Sequence, residues 1–423
     1  MSPQTLAQKL IAHAAQREQV VPGEIVNAKV DLAMFHDSSG PRRLKPMLDE
    51  LGAHIWDPAR VVLVMDHYVP ERDDESRRIV RIARDWAGEV GLTHVYDSQG
   101  ICHVVLPERG HLRPGLFCVG GDSHSPTGGA FGAFMFGIGS TEMLGVMVTG
   151  ELWIKVPQTI RMRWDARLMD GVSAKDMMLH MIGRFGMNGG QYQAVEYTGS
   201  AVTALSMAER MTLANMTAEL GGQTGLIAPD RTTREWLAGV CVEVDASDVE
   251  RWRSDPDAPL LAEHVFDAAT LAPQVALPHS PSNAKPVVEC AGQPIDVAYI
   301  GACNGAKLDD LRAAARVLQG RHVASGIELM VAPASLREQA VAEAEGVMQT
   351  LRDAGAQVLP MGCGACAGYG SRFKAGSRVV STTARNFRGR MGGTDTEVFL
   401  ASPFTVAASA LRGTISDPRE VLA

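Results

Sequence analysis

The stretch Gln357-Val-Leu-Pro-Met-Gly-Cys363-Gly-Ala-Cys366-Ala-Gly368 runs from a short apolar segment into a cysteine pair set among glycine and alanine. A brief apolar run that stops at glycine reads as a buried strand, and the small residues beyond it let backbone approach something bulky. Sixty residues earlier the arrangement recurs in Val297-Ala-Tyr-Ile-Gly-Ala-Cys303-Asn-Gly305. Three thiols, each just past an apolar run, point to a bound cofactor.

The same layout repeats along the chain. Val61-Val-Leu-Val-Met65 enters Asp66-His67, Leu116-Phe-Cys-Val-Gly120 enters Gly121-Asp122-Ser123-His124, and Arg378-Val-Val-Ser381 leads to Arg385-Asn-Phe-Arg-Gly-Arg390. Continuous apolar runs separated by helical stretches indicate an α/β protein with parallel sheets covered on both faces. Ligands in such folds bind beyond the carboxyl ends of the strands, where all five polar clusters fall.

At the N-terminus the pattern predicts a helix over Thr5 to Gln19, a Pro-Gly turn and an alternating segment from Ile25 to Val30. Gly128 to Gly145 reads as a glycine-rich helical region. A boundary is expected near 150–156, and Leu271 to Pro286, with four prolines, reads as an extended linker. The division expected is 1–152, 153–280 and 281–423.

A chain of 423 residues exceeds one ordinary core. Its 46% hydrophobic and 21% charged content is that of a globular protein, and a net charge of −8 argues against general binding of nucleic acid or anionic membrane. No apolar run approaches the ~20 residues of a membrane span and the start lacks a signal-peptide layout, so a cytoplasmic location is expected. Seven scattered cysteines argue for reduced thiols or metal ligands over a disulfide framework. Cys102, Cys118, Cys241 and Cys290 lie in apolar surroundings and read as inert core thiols.

Three groups carry chemistry. Cys363-x-x-Cys366 alone fits a redox dithiol or a zinc site, but a thioredoxin-type pair needs no third cysteine and structural zinc wants four ligands. Three thiolates from Cys303, Cys363 and Cys366 suit a four-iron cluster with one iron open to substrate; zinc and a plain buried role stay open. Asp66 with His67, Asp122 with His124, and His103 after Asp97 are carboxylate–histidine arrangements suited to acid–base work, or else capping acids beside surface histidines. Arg385, Arg388 and Arg390 put three guanidinium groups in six residues of an acidic chain. They match a di- or tricarboxylate substrate, or form a solvated basic turn. Gly137-Ile-Gly139 and Gly120-Gly121 lack phosphate-loop spacing and read as close backbone packing.

Taken together these stretches resemble the aconitase superfamily, most closely its isopropylmalate dehydratase large subunits, over nearly the whole chain. The resemblance rests on Phe35-His-Asp-Ser-Ser-Gly-Pro41, Met65-Asp-His-Tyr-Val-Pro70, Gly100-Ile-Cys-His103, Gly121-Asp-Ser-His-Ser-Pro-Thr-Gly-Gly129, Ala194-Val-Glu196-Tyr, Pro278-His-Ser-Pro281, Cys303, Cys363-Gly-Ala-Cys366 and Arg385-Asn-Phe-Arg-Gly-Arg390. It implies three α/β/α domains around a [4Fe–4S] cluster held by Cys303, Cys363 and Cys366, with one open iron. It pairs Asp66 with His67, Asp122 with His103 and Glu196 with His124, makes His67 the acid toward the departing hydroxyl, and gives Ser123, Arg385 and Arg390 to substrate.

The swivelling fourth domain of the superfamily, with its base serine, has no counterpart here, so the resemblance implies a separate small subunit. The expected activity is that of a hydro-lyase isomerising 2- and 3-hydroxy forms of a substituted malate. Related hydratases of maleate, citraconate, dimethylmalate or homoaconitate type are the near alternatives. A cluster-sensing RNA binder and a cluster-free scaffold subunit are the distant ones. Two departures stand out: Cys303-Asn304-Gly where the family has Cys-Thr-Asn-Gly, and Thr383-Ala384-Arg385 where it has Ser-Asn-Arg. Both alter amide contacts close to the cysteine and arginine scaffold.

Overall fold

The computed structural model describes residues 2–369 and 373–422. Contacts divide the chain into two compact units. One comprises Met1–Ser98, Val105–Trp164 and Gly190–Phe266; the other comprises Gln99–Val104, Asp165–Gly189 and Asp267–Ala423. Among the described residues no helix is long and apolar enough to cross a membrane.

The first unit is built on a five-stranded parallel sheet in the order His94–Asp97, Val61–Met65, Leu32–His36, Phe117–Gly120, Phe134–Gly137. Every residue of Val61–Met65 is buried, as parallel strands require when helices cover both faces. One covering helix, Asp74–Glu89, buries Ile79, Val80, Ala83, Trp86 and Ala87 along a single stripe and starts from a capping box between Asp73 and Ser76. The chain moves outward from Leu32–His36 to His94–Asp97, then returns to lay Phe117–Gly120 on the other side of its first strand. That reversal is a topological switch point, where the loops diverge and leave a crevice.

The second unit repeats the scheme. Its sheet runs Ala284–Pro286, Gln274–Ala276, Glu397–Ala401, Arg378–Ser381, Val297–Ile300, Glu328–Val331, Ala356–Val358, and the last five strands are parallel. Here the switch point lies between Val297–Ile300 and Arg378–Ser381. The first unit also carries an antiparallel ribbon, Ile25–Lys29 on Glu151–Lys155, and a further sheet containing Ala194–Thr198.

Several expectations change in detail. The first helix spans only Leu6–Ala14, because Gln16 takes φ 56° and turns the chain back. Gly128–Gly145 is not one helical region: Phe134–Gly137 pairs with Phe117–Gly120 as a strand, Phe134 stacking on Phe117 and Phe136 meeting it edge-on. Leu271–Pro286 is an edge hairpin rather than a linker, its prolines kept where ladder donors are not needed. Cys241 is exposed on the turn after the helix Arg231–Ala238, with φ 61°, whereas Cys102, Cys118 and Cys290 are buried as expected.

The glycine pairs do serve close packing. A Cβ on Gly120 would stand 1.9 Å from Ser125 Oγ, and one on Gly137 would stand 2.6 Å from the backbone oxygen of Asp122. Gly137→Ala should therefore displace the turn that carries Asp122 and cost about 1–3 kcal/mol, seen as a lower urea midpoint at unchanged slope.

Candidate active site

In the first unit the strand ends at the switch point deliver a row of acids and imidazoles. Asp37, next after Leu32–His36, is buried, and its carboxylate accepts the N–H groups of Ser38, His67 and Tyr68 at 3.1, 3.1 and 2.7 Å. One side chain thus fixes the geometry of the neighbouring strand end. Burial, and then the nearby Asp66 charge, raise its carboxyl above the ordinary range.

Asp66 Oδ1 lies 2.6 Å from His67 Nδ1. With Asp66 ionised, Nδ1 is the donor, and Nε2 is the ring nitrogen on the side away from Asp66. The His36 ring stacks on the His67 ring at 3.8 Å with 17° between planes. Its Nε2 is 3.7 Å from Asp122 Oδ2, and Asp122 Oδ1 accepts the His124 N–H at 2.8 Å. The row ends with His124 Nε2 at 2.9 Å from Glu219 Oε1, a carboxylate with no exposed side-chain surface. His124 therefore presents Nδ1 on the Asp122 side, the opposite tautomer to His67. Ser123 is exposed between Asp122 and His124.

The partner of His124 differs from the one expected. Glu196, on Ala194–Thr198, is occupied by Ser254 Oγ at 2.9 Å and by Arg161 at 3.3 Å. Glu219 instead closes the last turn of the helix Met207–Leu220. A glutamate there faces the negative end of the helix dipole, and this one is fully buried, so it needs a hydrogen-bond donor. That conflict was the signal available in the sequence. His36, quoted above only within the stretch Phe35–Pro41, joins the row as the last residue of its strand.

His103 is buried near the start of the helix Cys102–Glu108 and belongs, with Gln99–Val104, to the second unit. The segment is pinned by Ile101 N donating to Ala334 O at 2.8 Å and by a bridge from Gly100 to Ser335.

Around the second switch point stand the thiols. Cys303 follows Val297–Ile300, Cys363 follows Ala356–Val358 and precedes the short helix Gly364–Ala367, and Cys366 lies on that helix. None is in a disulfide; Cys303 and Cys366 are buried and Cys363 is half-buried. Tyr299 is fully buried close enough to Cys363 and Cys366 that their charges add to burial in raising its hydroxyl. Gly364 takes φ 41° with open space where a Cβ would point.

Among the described residues the three sulfurs do not all lie within 4.8 Å of one another. Sulfurs on one zinc at 2.3 Å would sit about 3.8 Å apart, whereas a cluster spreads its ligands over different irons. The donor set therefore fits an iron–sulfur cluster better than a zinc ion. Beyond Arg378–Ser381, Asn386 Nδ2 donates to Leu277 O and Val398 O, both at 2.9 Å, and so anchors the arginine loop. Arg385 and Arg390 are half-buried; Arg390 Nε is buried with no partner, and Arg388 is exposed.

A sequence profile of the aconitase family (aconitate hydratase) matches residues 8–293 and 285–413. The chain belongs to the aconitase family. It is 43% identical to 3-isopropylmalate dehydratase large subunit 1 of Methanopyrus kandleri over 424 aligned residues, which cover 99% of each chain. The 3-isopropylmalate dehydratase large subunit of Moorella thermoacetica is 44% identical, again over 99% of both. A probable methanogen homoaconitase large subunit of Methanothermobacter thermautotrophicus is 39% identical over 99% of both. The crystal structure of Thermococcus kodakaraensis aconitase X in its holo form has a TM-score of 0.52 at 14% identity over 88% of each chain, a likeness of fold alone. As an aconitase-family protein the chain has the α/β architecture its strand pattern predicts.

Exchanging carboxylates tests the pair assignment. Glu219→Gln should lower kcat by about 10²-fold with the fold intact, because a neutral amide no longer stabilises a charged His124 ring and can offer N–H as readily as oxygen, so the tautomer is no longer fixed. Glu196→Gln should lower the melting temperature through Arg161 and Ser254 while kcat stays within about tenfold.

Proposed function

We propose that the chain is the cluster-binding large subunit of a hydro-lyase that interconverts 2- and 3-isopropylmalate, a step of leucine biosynthesis. The observation that carries this is the Asp66–His67 pair at the end of Val61–Met65, beside the switch-point strand Leu32–His36. Dehydration breaks a C–O and a neighbouring C–H bond to leave a C=C bond. His67 enters this step as the imidazolium, which Asp66 stabilises; it gives its Nε2 proton to the departing hydroxyl, which leaves as water, and returns to the neutral Nδ1–H form. In the rehydration half the flow reverses onto the adjacent carbon.

The remaining roles follow from chemical type. Arg385 and Arg390 bind the two carboxylates of the malate core through planar N–H forks, and Ser123 adds a hydroxyl contact. Glu219 locks the His124 tautomer, and His103 and Asp122 are further acid–base groups. Cys303, Cys363 and Cys366 would hold a [4Fe–4S] cluster, which when bound supplies a Lewis-acidic iron toward the substrate hydroxyl and carboxylate. A small subunit would supply the swivelling domain and the serine that takes the proton from carbon. The division at 1–152, 153–280 and 281–423 and a cytoplasmic location belong to the same proposal.

A homoaconitase-type activity is the second reading. It is favoured by Asn304 and Ala384 at positions beside the cluster and the arginines, and by the homoaconitase-named relative.

Anaerobic reconstitution should yield about four irons and four sulfides per chain, and Cys363→Ser should lose them. Zinc, or no metal, would leave a scaffold subunit. With cluster present, the chain alone should not turn over 2-isopropylmalate and should do so once the small subunit is added; preference for homocitrate would select the second reading.

A further inference from the structure

Lys175 lies in the first turn of the helix Ala174–Phe185, within the second unit, and is 1% exposed. Both facts are costly. A helix N-terminus repels a cation, and a buried ammonium forfeits its hydration. Stability alone would favour an uncharged side chain here.

Its contacts explain the lysine. Nζ donates to Thr382 O at 2.9 Å and to Thr383 O at 2.6 Å. With the Asn304 amide turned to suit its neighbours, Oδ1 accepts from Lys175 Nζ at 3.3 Å and Nδ2 donates to Thr382 O at 3.1 Å. An ammonium has three donors, and here three acceptors from two loops surround it. Thr382 Oγ1 completes the joint, accepting from Gly301 N and donating to Gly301 O, both at 2.9 Å. Gly305 passes so close that a Cβ there would stand 2.3 Å from that of Thr382. From the far side Lys307 Nζ donates to Cys303 O at 3.2 Å.

We propose that Lys175 is a positioning residue: through Thr382, Thr383 and Asn304 it sets the spacing between the turn that carries Cys303 and the loop that carries Arg385. The proposal deepens the function given above, and takes from it Cys303 as a cluster ligand and Arg385 as a carboxylate clamp. Displacing either loop moves the other, because both hang on one ammonium. Asn304 belongs to this joint.

Hydrogen exchange on the cluster-free chain tests it directly. Lys175→Met should speed exchange of amides in 301–305 and 382–386 together by at least tenfold, with the rest of the second unit within twofold. Asn304→Ala should act on the same two segments, and the double variant should be no faster than Lys175→Met alone. In the reconstituted chain Lys175→Met should release iron to a chelator at least tenfold faster and shift the EPR signal of the reduced cluster, and Lys175→Arg should not restore either, since a planar fork cannot meet three acceptors around a point. Unchanged exchange, exchange raised evenly over the unit, or single effects that multiply would overturn the proposal. So would an unaltered EPR signal and iron release. Should Lys175→Met not fold, Asn304→Ala decides: faster exchange at 382–386, across the joint, supports it, and a change confined to 301–305 sinks it. A wild-type chain that takes up no iron would defeat the cluster assignment, while the exchange result would still stand.

Discussion

Parallel pairing makes every strand of a sheet end on the same edge, and both units of this chain put their reactive side chains on that edge. The consequence is geometric economy. Residues distant in sequence, such as Asp37, Asp66 and Asp122, become neighbours because the strands before them are hydrogen-bonded side by side. The switch point then decides which strand ends open onto a crevice. In the first unit it selects Leu32–His36 and Phe117–Gly120, which place His36 and Asp122 within 3.7 Å; in the second it selects Val297–Ile300 and Arg378–Ser381, which bring Cys303's turn against Thr382.

Such an edge, with the helices packed beside it, concentrates polar groups that burial would otherwise penalise, and several are met by partners of matching type. Asp37 has three backbone donors, Glu219 has an imidazole, and the buried ammonium of Lys175 has carbonyl oxygens. The backbone does much of this work. Among the described residues Arg161, Arg210 and Arg390 each keep a buried Nε with no acceptor, and of these Arg390 lies on the loop proposed to bind an anion.

What was legible in the sequence is what local chemistry dictates. Val61–Met65 and Val297–Ile300 could be nothing but buried strands, and the residues just past them had to fall at strand ends. Asp66 and His67 are adjacent, so their pairing needed no tertiary knowledge. Long-range partners were another matter. Glu219 meets His124 across 95 residues, and only the packing of a buried helix against the glycine-rich turn specifies that contact. Phe134–Gly137 was hidden for the reverse reason: its glycines looked helical or loop-like until a neighbouring strand gave their backbone a partner. Asn304 looked like a displaced family asparagine, and its role emerges only once Thr382 stands beside it.

The two units are interleaved along the chain, and this has a consequence for synthesis. A ribosome completes residues 165–189 long before the strands they belong with, since their unit is not whole until the stretch from Asp267 onward is made. The helix bearing Lys175 therefore emerges with its ammonium in water and its acceptors at Thr382 and Thr383 unmade. The ribbon that joins Ile25 to Lys155 likewise closes a loop of over a hundred residues. A chain so ordered can complete its first unit once Phe266 is made and its second only afterwards, and nascent-chain protection is most needed for the segments of the second unit that wait.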